Sequence, residues 1–217
     1  MSKKNVIMVV GGETCDETII NTINSNPDCY IVGVDRGAEV IDRLGIEADM
    51  VIGDFDSLGE IPSHPNVKKL PVKKDDTDII SSVRTALGMG AETICIYGAA
   101  GGNRFDHTIA NIQTLQFIAE NNAVGFIIDK DFIMCSFKNK TLVFDETFKG
   151  TFSLFSLCGK AEGVNIRGLS YEAENIVLTP DFPLGVSNSF KGETAEISVK
   201  NGVLTAIWYE NRFPDIK

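Results

Sequence analysis

Short unbroken apolar runs alternate with amphipathic stretches through the first part of the chain. Val6–Val10, Tyr30–Val34 and Met50–Ile52 are the first such runs, separated by helical patterns after Cys15 and over Ala38–Leu44. Runs of this length without polar alternation are what parallel strands look like when helices cover both faces of their sheet. A further helix fits Asp78–Leu87, where Ile79, Ile80, Val83 and Leu87 share one face. A strand over Thr93–Tyr97, a helix over Asp106–Glu120 and strands over Gly125–Ile128 and Phe132–Phe137 finish this half. The pattern predicts an N-terminal three-layer α/β domain built on a parallel sheet, residues 1–149.

Beyond Lys149 the helical period disappears. Phe152–Leu157, Gly163–Gly168, Asn175–Leu178, Gly185–Phe190, Ala195–Val199 and Leu204–Tyr209 are short β-type runs with turn residues between them. Regular spacing of this kind predicts a smaller all-β domain over residues 150–217, an antiparallel sandwich or barrel. The boundary is a shift of texture near Gly150, and the chain has no internal repeat and no low-complexity tract.

Composition narrows the picture. The chain has 217 residues, 43% hydrophobic and 23% charged, which suits one larger and one smaller domain. Thirty acids against 20 basic residues give a formal charge of -10, so a broad basic face for nucleic acid is not indicated. Cys15, Cys29, Cys95, Cys135 and Cys158 are odd in number and contain no CxxC pair, and read as buried thiols in a reducing compartment. The apolar run Val6–Val10 ends in Gly11-Gly12 without a cleavage pattern and is read as a strand. No apolar stretch approaches the roughly 20 residues of a membrane span. A cytoplasmic protein with no membrane partner is expected.

Three elements carry chemistry. In Gly53-Asp54-Phe55-Asp56-Ser57, two aspartates stand at alternate positions just past a buried strand, so both carboxylates point the same way if the chain stays extended. Open α/β sheets bind ligands at that edge. An acidic turn is the competing reading. The second element, Lys73-Lys74-Asp75-Asp76-Thr77-Asp78, sits at a helix start, where one acid serves as a cap but three in four residues exceed what capping needs. Convergence of Asp78 with Asp54 and Asp56 would bring repulsion of roughly 1–4 kcal/mol per close pair, and a hard cation such as magnesium offsets it. The third element, Tyr97-Gly98-Ala99-Ala100-Gly101-Gly102-Asn103-Arg104-Phe105-Asp106-His107, leads from a strand end through a glycine loop into a helix. Its backbone N–H groups and the Arg104 fork suit phosphate. It is neither a Walker loop nor a dinucleotide GxGxxG. His107 either orients Asp106 or caps and packs, and His64 in a Pro-flanked loop reads as structural or solvent-exposed.

In order and spacing these elements resemble the thiamine pyrophosphokinase family, whose pattern joins Gly-Asp-x-Asp-Ser, Lys-Asp-x-Thr-Asp and Gly-Gly-Arg-x-Asp-His. Val34-Asp35-Arg36-Gly37-Ala38 also resembles the family's Asp-Gly-Gly-Ala nucleotide segment, with Arg36 in place of the first glycine. Asn103 precedes Arg104 where the family has glycine, and asparagine tolerates the left-handed conformation such a loop can demand. The resemblance implies an α/β catalytic domain followed by a β-sandwich that binds thiamine, in a homodimer with shared active sites. Gly185-Val186-Ser187-Asn188 looks like the family's Ser-Asn thiamine contact. Trp208 either stacks on the substrate, as an aromatic near this strand does in some relatives, or packs in a core or interface.

The resemblance thus implies magnesium-dependent transfer of the β,γ-pyrophosphoryl unit of ATP to thiamine. Asp54, Asp56 and Asp78 are the expected metal ligands, and Arg104 with Asp106 completes the catalytic set. Asp35, Gly37, Lys74, Asp75, Thr77, Gly101, Gly102, Arg104 and His107 are expected around the nucleotide, and Asp78, Ser187, Asn188 and Trp208 around thiamine. Two alternatives stay open: a pyrophosphokinase acting on another hydroxyalkyl heterocycle, and a nucleotide-binding regulator without turnover.

Overall fold

The structure, a computed structural model, describes residues 4–56, 63–73 and 75–217. Two compact units divide the chain: Met1–Thr114 with Gly125–Lys130, and Leu115–Val124 with Asp131–Lys217.

In the first unit, β1 (Asn5–Val9), α1 (Asp16–Ser25), β2 (Tyr30–Val34), α2 (Gly37–Arg43), β3 (Met50–Gly53) and β4 (Val67–Lys69) run in succession. They are followed by α3 (Asp78–Gly88), β5 (Thr93–Tyr97), α4 (Phe105–Glu120), whose residues through Thr114 belong here, and β6 (Val124–Ile128). The strands lie in the order β6-β5-β1-β2-β3-β4. The β1 strand pairs in parallel with β2 on one side, Val6 opposite Tyr30, and with β5 on the other, Val6 opposite Ile94. Nearly every side chain of β1, β2, β3 and β5 is buried, which is why these segments read as continuous apolar runs. The chain leaves β1 toward β2, β3 and β4, then crosses back through α3 to β5 on the opposite side. That reversal between β1 and β5 opens a crevice at the carboxyl ends of the strands, the position where open α/β sheets bind ligands. Tyr97 closes the floor of this region: its hydroxyl donates to Thr22 Oγ1 at 2.6 Å, tying the end of β5 to α1. Burial pushes the Tyr97 phenol far up, so it is a strut and not an acid or base.

The second unit holds β7 (Ile133–Lys138), β8 (Thr141–Phe144), β9 (Thr151–Phe155), β10 (Ala161–Arg167), β11 (Ala173–Leu178), β12 (Gly185–Ser189), β13 (Ala195–Ser198), β14 (Val203–Trp208) and β15 (Asp215–Ile216). They form two antiparallel layers, β12-β9-β14-β7 and β11-β10-β13-β8-β15. Phe144 of β8 stands edge-on to Phe152 of β9 at 5.6 Å and to Trp208 of β14 at 5.2 Å, so the layers meet as a sandwich around an aromatic core. The predicted α/β domain followed by an antiparallel sandwich is therefore what forms. One strand changes allegiance: the run at Phe132–Phe137, expected to finish the first half, forms β7 and pairs antiparallel with β14, Ile133 opposite Trp208. Periodicity identifies a strand but not a partner some 70 residues away, which packing chooses.

The cysteines depart from expectation in part. Cys29, Cys95 and Cys135 are buried, Cys15 is intermediate and Cys158 is exposed. Burial pushes the Cys95 thiol up to about 12, which makes it inert. Among the described residues no helix is long and apolar enough to cross a membrane.

Candidate functional site

Asp35 follows β2 and Asp54 follows β3, two neighbouring parallel strands in which Val34 lies opposite Ile52. The Asp35 N–H donates to Ile52 O at 2.9 Å, so the Asp35 side chain leaves the sheet edge beside Gly53. That contact is close enough that a Cβ on Gly53 would overlap the Asp35 carboxylate. Asp78 is the first residue of α3, where a carboxylate complements the helix dipole. One oxygen from each of Asp35, Asp54 and Asp78 falls within 4.8 Å of the others, and all three side chains are half-buried. Three carboxylates this close repel by roughly 1–4 kcal/mol per pair. Hard oxygen donors in such a group fit a divalent cation of the magnesium kind.

This trio is not the one read from the motif. Asp56 is exposed and outside the group, and Asp35, expected only near the nucleotide, takes its place. The cause is the backbone. Phe55 sits at φ 60°, in the left-handed region, so the chain is no longer extended after Asp54 and the alternation that would align Asp56 is lost. The Phe55 ring is buried, at 4% exposure, and this anchorage holds a conformation that bulky residues avoid. Asp35, at φ 49°, is likewise left-handed. The signal in the sequence was Gly53, a residue without a side chain at the end of a strand adjacent to the one that ends in Asp35.

A cavity of about 720 Å³ opens at the β1/β5 reversal and is lined by Asp35, Asp78, Gly101, Gly102, Arg104 and His107, among others. Gly101 and Gly102 both adopt φ 75° and face open space, so the loop after β5 turns on these two residues. Asn103 has no left-handed φ, and its replacement of glycine asks nothing of the loop. Asn111, unremarked in the sequence, lines the same cavity and donates to Ala99 O at 2.7 Å, fastening α4 to the strand end. Gly37 is buried where a Cβ would overlap Val9 O, so its position follows from packing of α2 on β1.

The second motif divides its labour. Thr77 is the N-cap of α3, its hydroxyl accepting from Ile80 N at 3.3 Å. Asp76 binds Arg84 Nε at 2.9 Å, and Asp75 is exposed. Capping thus falls to threonine, because Asp78 lies inside the helix and turns to the carboxylate group. Lys74 and Ser57 lie outside the described residues.

Arg104 and Asp106 grip one another through two bonds, Nε to Oδ1 at 2.9 Å and Nη2 to Oδ2 at 2.7 Å. Bonding to Arg104 lowers the Asp106 carboxyl to about 2. With its pKa depressed from the ordinary 3.8, the carboxylate keeps the pair intact above the ordinary value. The contribution fades only as pH falls through about 2. A carbon-13 titration of the Asp106 carboxyl is expected to show a midpoint near 2, moving toward the ordinary value in Arg104→Ala. An unshifted midpoint in the native chain would contradict the pair. Both side chains are exposed, so the pair adds little to stability.

In the second unit, Asn188 is buried and committed to the fold. Its Oδ1 accepts from Tyr171 N at 2.9 Å and Ser189 N at 2.9 Å, and its Nδ2 donates to Tyr171 O at 2.7 Å. Ser187 is exposed at φ 62°, its N–H donating to Ser153 Oγ at 3.2 Å. Trp208 is 0% exposed and donates from Nε1 to Arg212 O at 3.0 Å. A fully buried indole has no face for a substrate, so the stacking expectation gives way to the core. Trp208→Ala is expected to lower unfolding free energy by roughly 3–5 kcal/mol in urea titration. Trp208→Phe, if folded, is expected to leave the KM for an acceptor within twofold, and a tenfold rise would restore the stacking role.

Comparisons with known proteins agree with the fold. Residues 24–126 match the family model for the thiamin pyrophosphokinase catalytic domain, and residues 140–204 match that for the thiamin pyrophosphokinase vitamin B1 binding domain. Among solved structures, the chain is similar to thiamine pyrophosphokinase from Bacillus subtilis, with 26% identity, TM-score 0.80 and coverage of 95% of this chain and 99% of that one. The corresponding protein from Geobacillus thermodenitrificans has 24% identity, TM-score 0.77 and coverage of 95% and 97%. Thiamin pyrophosphokinase from Candida albicans has 20% identity, TM-score 0.73 and coverage of 96% and 90%, and these last two show likeness of fold. A search of curated protein sequences found no match.

Proposed function

The chain belongs to the thiamin pyrophosphokinase family, and from that membership we propose that it transfers the β,γ-pyrophosphoryl group of ATP to the hydroxyl of thiamine. The thiamine oxygen bonds to the β-phosphorus and loses its proton, the bond from that phosphorus to the α-phosphate oxygen breaks, and AMP leaves with thiamine pyrophosphate as the other product. The observation that carries this reading is the meeting of Asp35, Asp54 and Asp78 beside a nucleotide-sized cavity at the β1/β5 reversal.

Catalysis on this reading is positioning and charge neutralisation. Asp35, Asp54 and Asp78 would hold a magnesium ion, which when bound neutralises phosphate charge. Arg104 exchanges part of its hold on Asp106 for phosphate oxygens, and the turn at Gly101-Gly102 lets the nucleotide come close to the backbone. Asp56 serves as an outer acid near the cluster. Ser187, with its side chain exposed, is the stronger thiamine contact of the Ser187–Asn188 pair. The first unit binds ATP and metal, and the second unit, which takes in residues 131–217, binds thiamine and forms a homodimer in the cytoplasm. Exposed Tyr171, Phe182 and Leu184 support an interface on that part of the chain.

The test is to incubate the protein with ATP, magnesium and thiamine and separate the products by chromatography. AMP and thiamine pyrophosphate in equal amounts are expected. ADP would indicate transfer of a single phosphoryl group, and AMP formed without thiamine would indicate another acceptor. Either result overturns the reading.

A further inference from the structure

Arg36 is a charged residue of the cavity that the reading above does not use. It stands between Asp35, a member of the carboxylate group, and the buried Gly37, and it lines the same cavity. Its carboxylate contact is Nε to Glu39 Oε2 at 3.9 Å, between side chains each 62% exposed. A pair this long and this wet is worth little. Arg104, the other guanidinium on the cavity wall, is held in a two-bond grip by Asp106. The loop after β1 leaves room for Arg36: a Cβ on Gly11 would stand only 3.0 Å from the Arg36 Cβ.

Charge makes the need plain. Glu13, Asp35 and Asp78 line the cavity, and Asp54 joins the last two. A nucleoside triphosphate brings about four more negative charges, and one divalent cation offsets two of them. We propose that Arg36 is a second phosphate-binding residue, its planar fork taking non-bridging oxygens of the nucleotide's polyphosphate chain. This assignment rests on the preceding reading that a nucleoside triphosphate occupies the cavity. Arg36 then sets nucleotide affinity without touching the acceptor.

The test compares wild type with Arg36→Ala, Arg36→Gln and Arg36→Lys. The neutral variants are expected to raise the KM for ATP about 10- to 100-fold, the range of a lost charge-assisted bond pair. The KM for thiamine should stay within twofold, and lysine should recover part of the loss because it keeps the charge but not the fork. Inorganic tripolyphosphate, used as a competitive inhibitor, should weaken by the same factor as ATP. Unchanged tripolyphosphate inhibition alongside weaker ATP binding would place Arg36 on the base and overturn the proposal, as would an ATP KM within twofold in both neutral variants. Calorimetry of magnesium-ATP binding to wild type and Arg36→Gln separates the two readings. If wild type binds without forming AMP, the transfer reading fails while a weaker heat in the variant still supports Arg36. Absence of binding to wild type overturns both.

Discussion

Asp54→Ala is expected to reduce formation of thiamine pyrophosphate by about a thousandfold or more while leaving a folded chain, since transition-state charge stabilisation of this kind is worth several kcal/mol. The reasoning starts from geometry. Asp54 contributes one of three carboxylate oxygens that lie within 4.8 Å of one another, and it is half-buried. Removing it takes one carboxylate from the group and also relieves close-range repulsion, so the fold loses little while the proposed cation site loses a donor. The checks are initial rates at saturating ATP and thiamine, circular dichroism, and the rise in melting temperature on adding magnesium. That rise, which reflects a stabilisation of about 2.7 kcal/mol at a hundred times Kd, should vanish in the variant. Retention of more than about a tenth of the wild-type rate would remove Asp54 from the site. Asp35→Asn and Asp78→Asn should behave like Asp54→Ala. Asp56→Asn should cost far less, and an equal loss there would return Asp56 to the cluster.

Gly53→Ala should damage both stability and turnover, although it adds only one methyl group. Gly53 is buried, and the added Cβ would overlap the Asp35 carboxylate. Either Asp35 swings out of the cluster or the ends of β2 and β3 separate. Overpacking of this sort costs about 1–3 kcal/mol, equivalent to a fall of about 3–10 °C in melting temperature for a chain of this size. Activity should fall on the order of a hundredfold, because a displaced Asp35 carboxylate spoils the arrangement that positioning catalysis requires. Thermal unfolding and rate measurements together decide the matter. A Gly53→Ala chain with native melting temperature and full activity would show that the Asp35 carboxylate is not held where the structure has it.

Much of the fold was legible from residue order. Continuous apolar runs marked β1, β2, β3 and β5 as parallel strands because both faces of that sheet are covered, and the loss of helical period after Lys149 marked the sandwich. The Gly-Asp-x-Asp, Asp-x-Thr-Asp and Gly-Gly-x-Arg elements were placed at strand ends and helix starts, and they stand there in the structure. Short strands such as β4, and the choice of β14 as partner for β7, had no local signal, because pairing is settled by contacts distant in sequence.

What the chain alone determined was therefore the class of chemistry: acids and a glycine loop at the carboxyl edge of a parallel sheet. Which acids meet was decided by tertiary structure. A left-handed Phe55 held by its buried ring turns Asp56 away, while Asp35 arrives from the next strand against the bare face of Gly53. Trp208 went to the aromatic core and Thr77 to the helix cap for the same kind of reason. Residue type states what a side chain can do, but backbone angles and packing determine which neighbours it does it with, and those depend on the whole fold.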